Sequence, residues 1–135
     1  MSKDDVELLT RAFELLNSDQ YEQALPLIDE RFEMVTTPEV ASEPDTYRGR
    51  DGVRRWWESF LEAMDSVRLK ALHMHPVEPG RVIVEFEIHA RGQRSGIDTV
   101  QPGITLATVA DGMLQRLEFF TDLDQARAAA RPRSS

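Results

Sequence analysis

His73 and His75 stand two residues apart in a stretch, 67–77, that reads as a strand. An imidazole titrates near neutral pH, so two of them on one side of a strand are suited to general acid–base work. Which side they take depends on the hairpin that follows. Glu78-Pro79-Gly80-Arg81 places proline and glycine where a type II turn wants them. With Pro79-Gly80 as a two-residue turn, Val77 pairs with Val82, His75 with Val84 and His73 with Phe86. Directly paired residues share a face. Val82, Val84, Phe86 and Ile88 form the apolar side of the next strand, 81–91, so this register points His73 and His75 inward. Lys70, Glu85, Glu87 and His89 then form the opposite side. Inward histidines have two readings, a catalytic pair or hydrogen-bonded core residues, and a slip of one residue turns both outward. A metal at His73-x-His75 needs a third and a fourth ligand, which the paired Phe86 and Val84 do not supply; no metal is expected.

A charged pair comes from the last hairpin. With Asp111-Gly112 as its turn, Thr105 pairs with Glu118, Leu106 with Leu117 and Ala107 with Arg116. Ile104, Leu106, Leu117 and Phe119 then share one face, and Thr105, Ala107, Arg116, Glu118 and Phe120 the other. Arg116 and Glu118 are either a buried functional pair or a surface pair of little energetic weight.

The elements that must carry these groups are legible from periodicity. Val53, Trp56, Trp57, Phe60, Leu61 and Met64 fall on one stripe of a helix over about 51–65, which Asp51 can cap. Trp56, Trp57 and Phe60 can wall an apolar pocket, together with Phe86 and Phe119 from the strands, and Tyr47 offers a phenol at the entry of that helix. An earlier helix, 4–17, has Val6, Leu9, Ala12, Phe13 and Leu16 as its stripe and Asp4 and Asp5 at its N-terminus. Asp19 and Glu22 suit the start of a second, shorter helix to about residue 28, in which Pro26 removes a donor. A strand over 31–37 and a loop over 38–45, placed to act as a rim or lid, complete the first half. The second half reads as strands over 67–77, 81–91, 99–110, with an interruption expected at Pro102-Gly103, and 113–121. A polar loop, 92–98, separates the middle pair. A last helix over 122–130 has Asp122 and Gln125 as its capping pair, and 131–135 is a tail.

Helices gathered first and antiparallel strands last give an α+β domain, helices packed on one face of a bent sheet, in one unit over 1–135 with its ordered core at about 4–130. At this point the chain resembles the nuclear transport factor 2-like superfamily, and within it the SnoaL-like, polyketide cyclase-like branch. The residues that carry the resemblance are Tyr47-Arg48-Gly49-Arg50-Asp51-Gly52-Val53, Asp111-Gly112-Met113-Leu114 and Glu118-Phe119-Phe120-Thr121-Asp122. It runs from about Val6 to Ala130. The resemblance implies a cystatin-like cone with a pocket between helices and concave sheet, and frequent homodimers. It also implies a range of activities, among them isomerases, cyclases, dehydratases, epoxide hydrolases and non-enzymatic binders, between which fold does not choose. Related isomerases carry a base aspartate near the end of the first strand; this chain has Val35-Thr36-Thr37-Pro38 there. Asp98 and Arg116 are available for other acid–base arrangements, Asp98 only if its loop folds inward.

Composition narrows the classes. The net charge is −8 and the arginines at 48, 50, 54 and 55 are interrupted by Asp51, which argues against nucleic acid. No apolar run is long enough to span a bilayer and the N-terminus lacks a signal core, so no membrane partner is expected. The absence of cysteine excludes disulfides and thiolate chemistry and accords with a cytoplasmic protein. The expected ligand is a small apolar or aromatic molecule and the expected assembly a homodimer through the exposed sheet face. No cofactor is called for. Binding with His73 and His75 as an acid–base pair and binding without turnover are the two expectations.

Overall fold

The computed structural model describes residues 2–17, 21–36, 46–92 and 96–130. Helix α1, Ser2–Leu16, is followed by a 3-10 helix at Tyr21–Leu27 that contains Pro26. An α-helix was expected there; the proline lacks the N–H that a longer helical ladder needs. Asp19 lies outside the described residues, as does the expected lid, 38–45. Strand β1, Ile28–Val35, begins three residues before the expected position. A short strand absent from the sequence reading, β2 at Thr46–Arg48, leads directly into helix α2, Gly49–Ala63. Then come β3, Met64–Glu78, β4, Arg81–Gly92, β5, Asp98–Ala110, β6, Met113–Phe120, and helix α3, Leu123–Ala130.

The strands form one six-stranded sheet in the order β2-β1-β6-β5-β4-β3, antiparallel except where β1 runs parallel to β6. The β5–β6 turn is the two-residue hairpin that Asp111-Gly112 predicts. Both residues have positive φ, 55° and 72°, the type I′ geometry that matches strand twist. Strand β5 passes through Pro102-Gly103 without interruption, because β6 pairs with β5 only from Ile104 onward. Pro102 therefore lies on a free edge, where a missing N–H costs no ladder bond.

Each face of the sheet buries apolar side chains. On the inner face Val82, Val84, Phe86, Ile88, Leu69, Ala107 and Phe119 pack under α1 and α2 with Leu9, Phe32, Val53, Trp56 and Trp57. On the outer face Ile83 and Leu106 pack against Ala126 and Ala130 of α3, with Ile104, Phe120 and Leu123 around them. The apolar runs of β4 and β5 follow from this two-sided burial. Asp122 caps α3, its Oδ1 accepting from Gln125 N at 2.8 Å. Arg81 closes the other end, donating to the carbonyls of Ala130 and Ala129 at 3.4 and 3.5 Å. Helix α3 thus occupies part of the sheet face that the sequence reading left open for a second copy.

The registers correct the sequence reading. Glu78 pairs with Arg81, but Pro76 rather than Val77 then faces Val82, so His75 faces Ile83 and His73 faces Glu85. A β-bulge beside Pro76 adds one residue to β3, and a second between Ala71 and His73 places Ala71 opposite Phe86 and Leu69 opposite Ile88. Each bulge exchanges the faces of the residues beyond it. The last hairpin likewise has a bulge between Thr108 and Val109, which places Leu106 opposite Glu118 and Ala107 opposite Leu117.

Candidate functional site

The inner face and the helices enclose a cavity of about 50 Å³. Leu9, Phe13 and Leu16 come from the stripe of α1, Phe32 and Met34 from β1, and Val53 and Trp56 from the stripe of α2; Val84, Phe86 and Phe119 come from the sheet. Among the described residues, Thr105 brings the one hydroxyl to this lining, and it donates to the Glu118 carbonyl at 3.0 Å. No titratable side chain among the described residues lines the cavity.

Aromatic rings form a continuous series along one side. Phe13 lies 6.2 Å from Phe86, Phe86 meets Phe119 edge-on at 5.8 Å, Phe119 lies 6.3 Å from Trp56, and Trp56 lies 5.9 Å from Trp57. Trp56, Phe86 and Phe119 are therefore cavity walls, in the place the sequence assigns them. Trp57 is buried but stands behind Trp56, outside the lining. Tyr47 is also outside it, buried opposite Met34, with the Arg55 guanidinium 4.8 Å over its ring. The side chain of Phe60 lies outside the described residues. The sequence reading left Phe13 and Phe32 out of the wall, although Phe13 was in the periodic stripe of α1.

His73 and His75 are on the outer face, a consequence of the bulge at Pro76. His75 Nε2 lies 2.6 Å from Glu85 Oε2, both partly exposed at 38% and 30%, and the ring of His73 is 6.0 Å from that of His75. His89 makes the same kind of contact with Glu87, at 2.9 Å. The sheet separates these imidazoles from the cavity, so the inward acid–base pair expected from a regular register is not formed. No group of three His, Asp or Glu residues among the described residues is placed to hold a metal. Asp98 starts β5 and accepts from Arg91 Nε at 3.0 Å, exposed and away from the cavity.

Arg116 and Glu118 are outer-face residues too. Glu33 bridges Arg48 at 2.8 Å and Arg116 at 3.1 Å, and Arg116 Nε reaches Glu118 at 3.1 Å. This row runs across β2, β1 and β6, half-exposed, and ties the strands that the turn sequence does not connect. Screening by water keeps each such pair at about 0–1 kcal/mol.

A bent sheet roofed by helices over an apolar cavity defines an α+β cone of the nuclear transport factor 2-like type. The family model described as the SnoaL-like domain matches residues 9–117, and the chain belongs to that family. No curated protein matches the sequence. Among solved structures it is similar to Bal32a from a soil-derived mobile gene cassette, at 17% identity and a TM-score of 0.77 over 88% of this chain and 89% of that one. It is also similar to Rv0760c from Mycobacterium tuberculosis in complex with estradiol-17β-hemisuccinate, at 12% identity, TM-score 0.74, over 90% and 95%. A third is a Catenulispora acidiphila protein with a ketosteroid isomerase-like fold in complex with trimethylamine, at 13% identity, TM-score 0.73, over 90% of each chain. At these identities the likeness is one of fold.

Proposed function

We propose that this protein binds a small apolar or aromatic molecule in the cavity between α1, α2 and the concave sheet, without turning it over by the residues that line it. The observation that carries this reading is the lining itself: apolar side chains and one threonine whose hydroxyl is already bonded within the protein. Among the described residues this surface presents no titratable group and no charge, so hydrophobic burial and ring contacts are what a ligand would gain. The ligands of Rv0760c and of the Catenulispora protein are held by chains of the same fold, which supports a binding role by analogy. The volume sets a limit. About 50 Å³ is room for a few waters, whereas an apolar cavity of about 150 Å³ holds benzene. A ligand the size of benzene therefore fits only if the walls move.

The test is a thermal-shift screen with apolar aromatics, terpenoids and short acyl compounds. A ligand at about a hundred times its dissociation constant adds about 2.7 kcal/mol and moves the midpoint by several degrees. A hit that Trp56→Ala weakens in a folded variant supports the cavity as the site. No shift with any compound, in protein that melts cooperatively, overturns the reading. The same proposal includes a homodimer, through the strips of outer face that α3 leaves uncovered. No helix among the described residues is long and apolar enough to cross a membrane, and a chain without cysteine suits the reducing cytoplasm we assign to it.

A further inference from the structure

Phe86 is the one cavity wall with small residues on both sides. On the inner face its cross-strand neighbours are Gly103 of β5 and Ala71 of β3. Its ring lies on Gly103: a Cβ built there would be 2.5 Å from the Phe86 Cζ and 2.8 Å from Cε2. The ring therefore fills the space in which any other residue would hold a side chain. In that seat it touches Phe13 on one side and Phe119 on the other, and with them it confines the cavity to about 50 Å³. The opposite seat, over Ala71, is next to the bulge that ends at His73, and Ala71 is exposed. Ala71 carries only a methyl, the smallest side chain a ring swinging across from Gly103 could meet there.

We propose that Phe86 is the residue that sets the size of the ligand, resting on Gly103 when the cavity is closed and moving over Ala71 when a ligand takes its place between Phe13 and Phe119. This inference rests on the cavity being the binding site. The ligand class it selects is a single planar ring. The vacated seat is the size of one phenyl group, it has a backbone floor at Gly103, and it is flanked by Phe119, placed for edge-on contact, and by Phe13, tilted at 43°. Chain sterics support the mechanism, since an aromatic side chain changes seats by a rotation about χ1 while the strand stays paired.

The experiment measures benzene and naphthalene binding by NMR line shifts on the full chain and on three variants, each checked for a cooperative melt. Phe86→Ala adds the volume of the ring to the cavity, Phe86→Leu is the milder replacement should the alanine variant not fold, and Ala71→Val fills the open seat from an exposed position. The expected result is that benzene binds the parent protein, that naphthalene binds Phe86→Ala or Phe86→Leu at least tenfold more tightly than the parent, and that Ala71→Val loses benzene at least tenfold. Equal binding of naphthalene to the parent and the Phe86 variants, or unchanged benzene binding in Ala71→Val, overturns the gate while leaving the cavity as a site. Binding of neither probe to any folded variant overturns the cavity reading and the gate with it.

Discussion

A single side chain decides much of how α1 sits on the sheet. Asn17 ends that helix, its N–H bonded to the Phe13 carbonyl, and its amide then pairs with the backbone of β3. The amide Nδ2 donates to the Leu69 carbonyl at 2.6 Å, and the Leu69 N–H donates to Asn17 Oδ1 at 2.7 Å. These two bonds copy a strand ladder at the outer edge of β3. Asn17→Ala leaves the Leu69 N–H and carbonyl without those partners and is expected to cost roughly 1–3 kcal/mol, read from urea unfolding midpoints. His73→Ala and His75→Ala are expected to do much less. The His75–Glu85 pair is partly exposed, so its loss costs about 1 kcal/mol or less, and neither substitution changes ligand affinity in a titration of the folded variants. The sequence identified these histidines correctly as a pair on one side of a strand. The side is set by the bulge next to Pro76, which exchanges the two faces and leaves no mark in the alternation of residue types. The cavity walls Trp56, Phe86 and Phe119 are legible because each stands in a periodic apolar pattern; the bulge on β6 falls between Leu114 and Arg116, before the Leu117–Phe119 alternation begins.

The helices and hairpins were the most legible elements. Val53, Trp56 and Trp57 are all buried on one side of α2, as a stripe of that spacing demands. Strand β2 escaped notice because three residues, Thr46–Arg48, carry no periodicity to read; the pairing with Met34 and Glu33 is what makes them a strand. Helix α3 was found through its cap, and the cap gives a prediction at this scale. Asp122→Ala removes the acceptor for Gln125 N and is expected to cost about 1 kcal/mol. Hydrogen exchange should then rise across 123–130 before it rises in β4 or β5, since the helix is eight residues long and cannot stand without its docking. Gly103→Ala is the corresponding test of β5. The new methyl meets the Phe86 ring at a distance no contact tolerates, so the ring must leave its seat or the strand must shift. A loss of about 1–3 kcal/mol in an unfolding titration is expected, as for other overpacked cores.

As a whole, the molecule has two apolar surfaces on one sheet: α1 and α2 cover the larger, and α3 covers part of the smaller. Helix α3 shields Ile83 and Leu106, which leaves a β3–β4–β5 strip with Lys70, Glu87, His89 and the exposed Val100, the surface on which the proposed second copy would sit. Sedimentation equilibrium is expected to give twice the chain mass of 15.4 kDa, and Val100→Asp to raise the monomer fraction at the same concentration. A monomer throughout the accessible range would remove the dimer from the proposal.

Strand β1 joins the sheet beside β6, and its Glu33 meets Arg116 across 83 residues of chain. Four of the six strands, β3 to β6, are encoded after both α1 and α2. During synthesis Trp56 lacks its Phe119 neighbour until β6 has emerged. The entropy of closing so long a loop rises only slowly with its length, but it has to be met before the parallel pair can form. The order of the elements along the chain thus makes completion of the core a late event, and gives the emerging N-terminal half a period in which its apolar helix faces are open to chaperones.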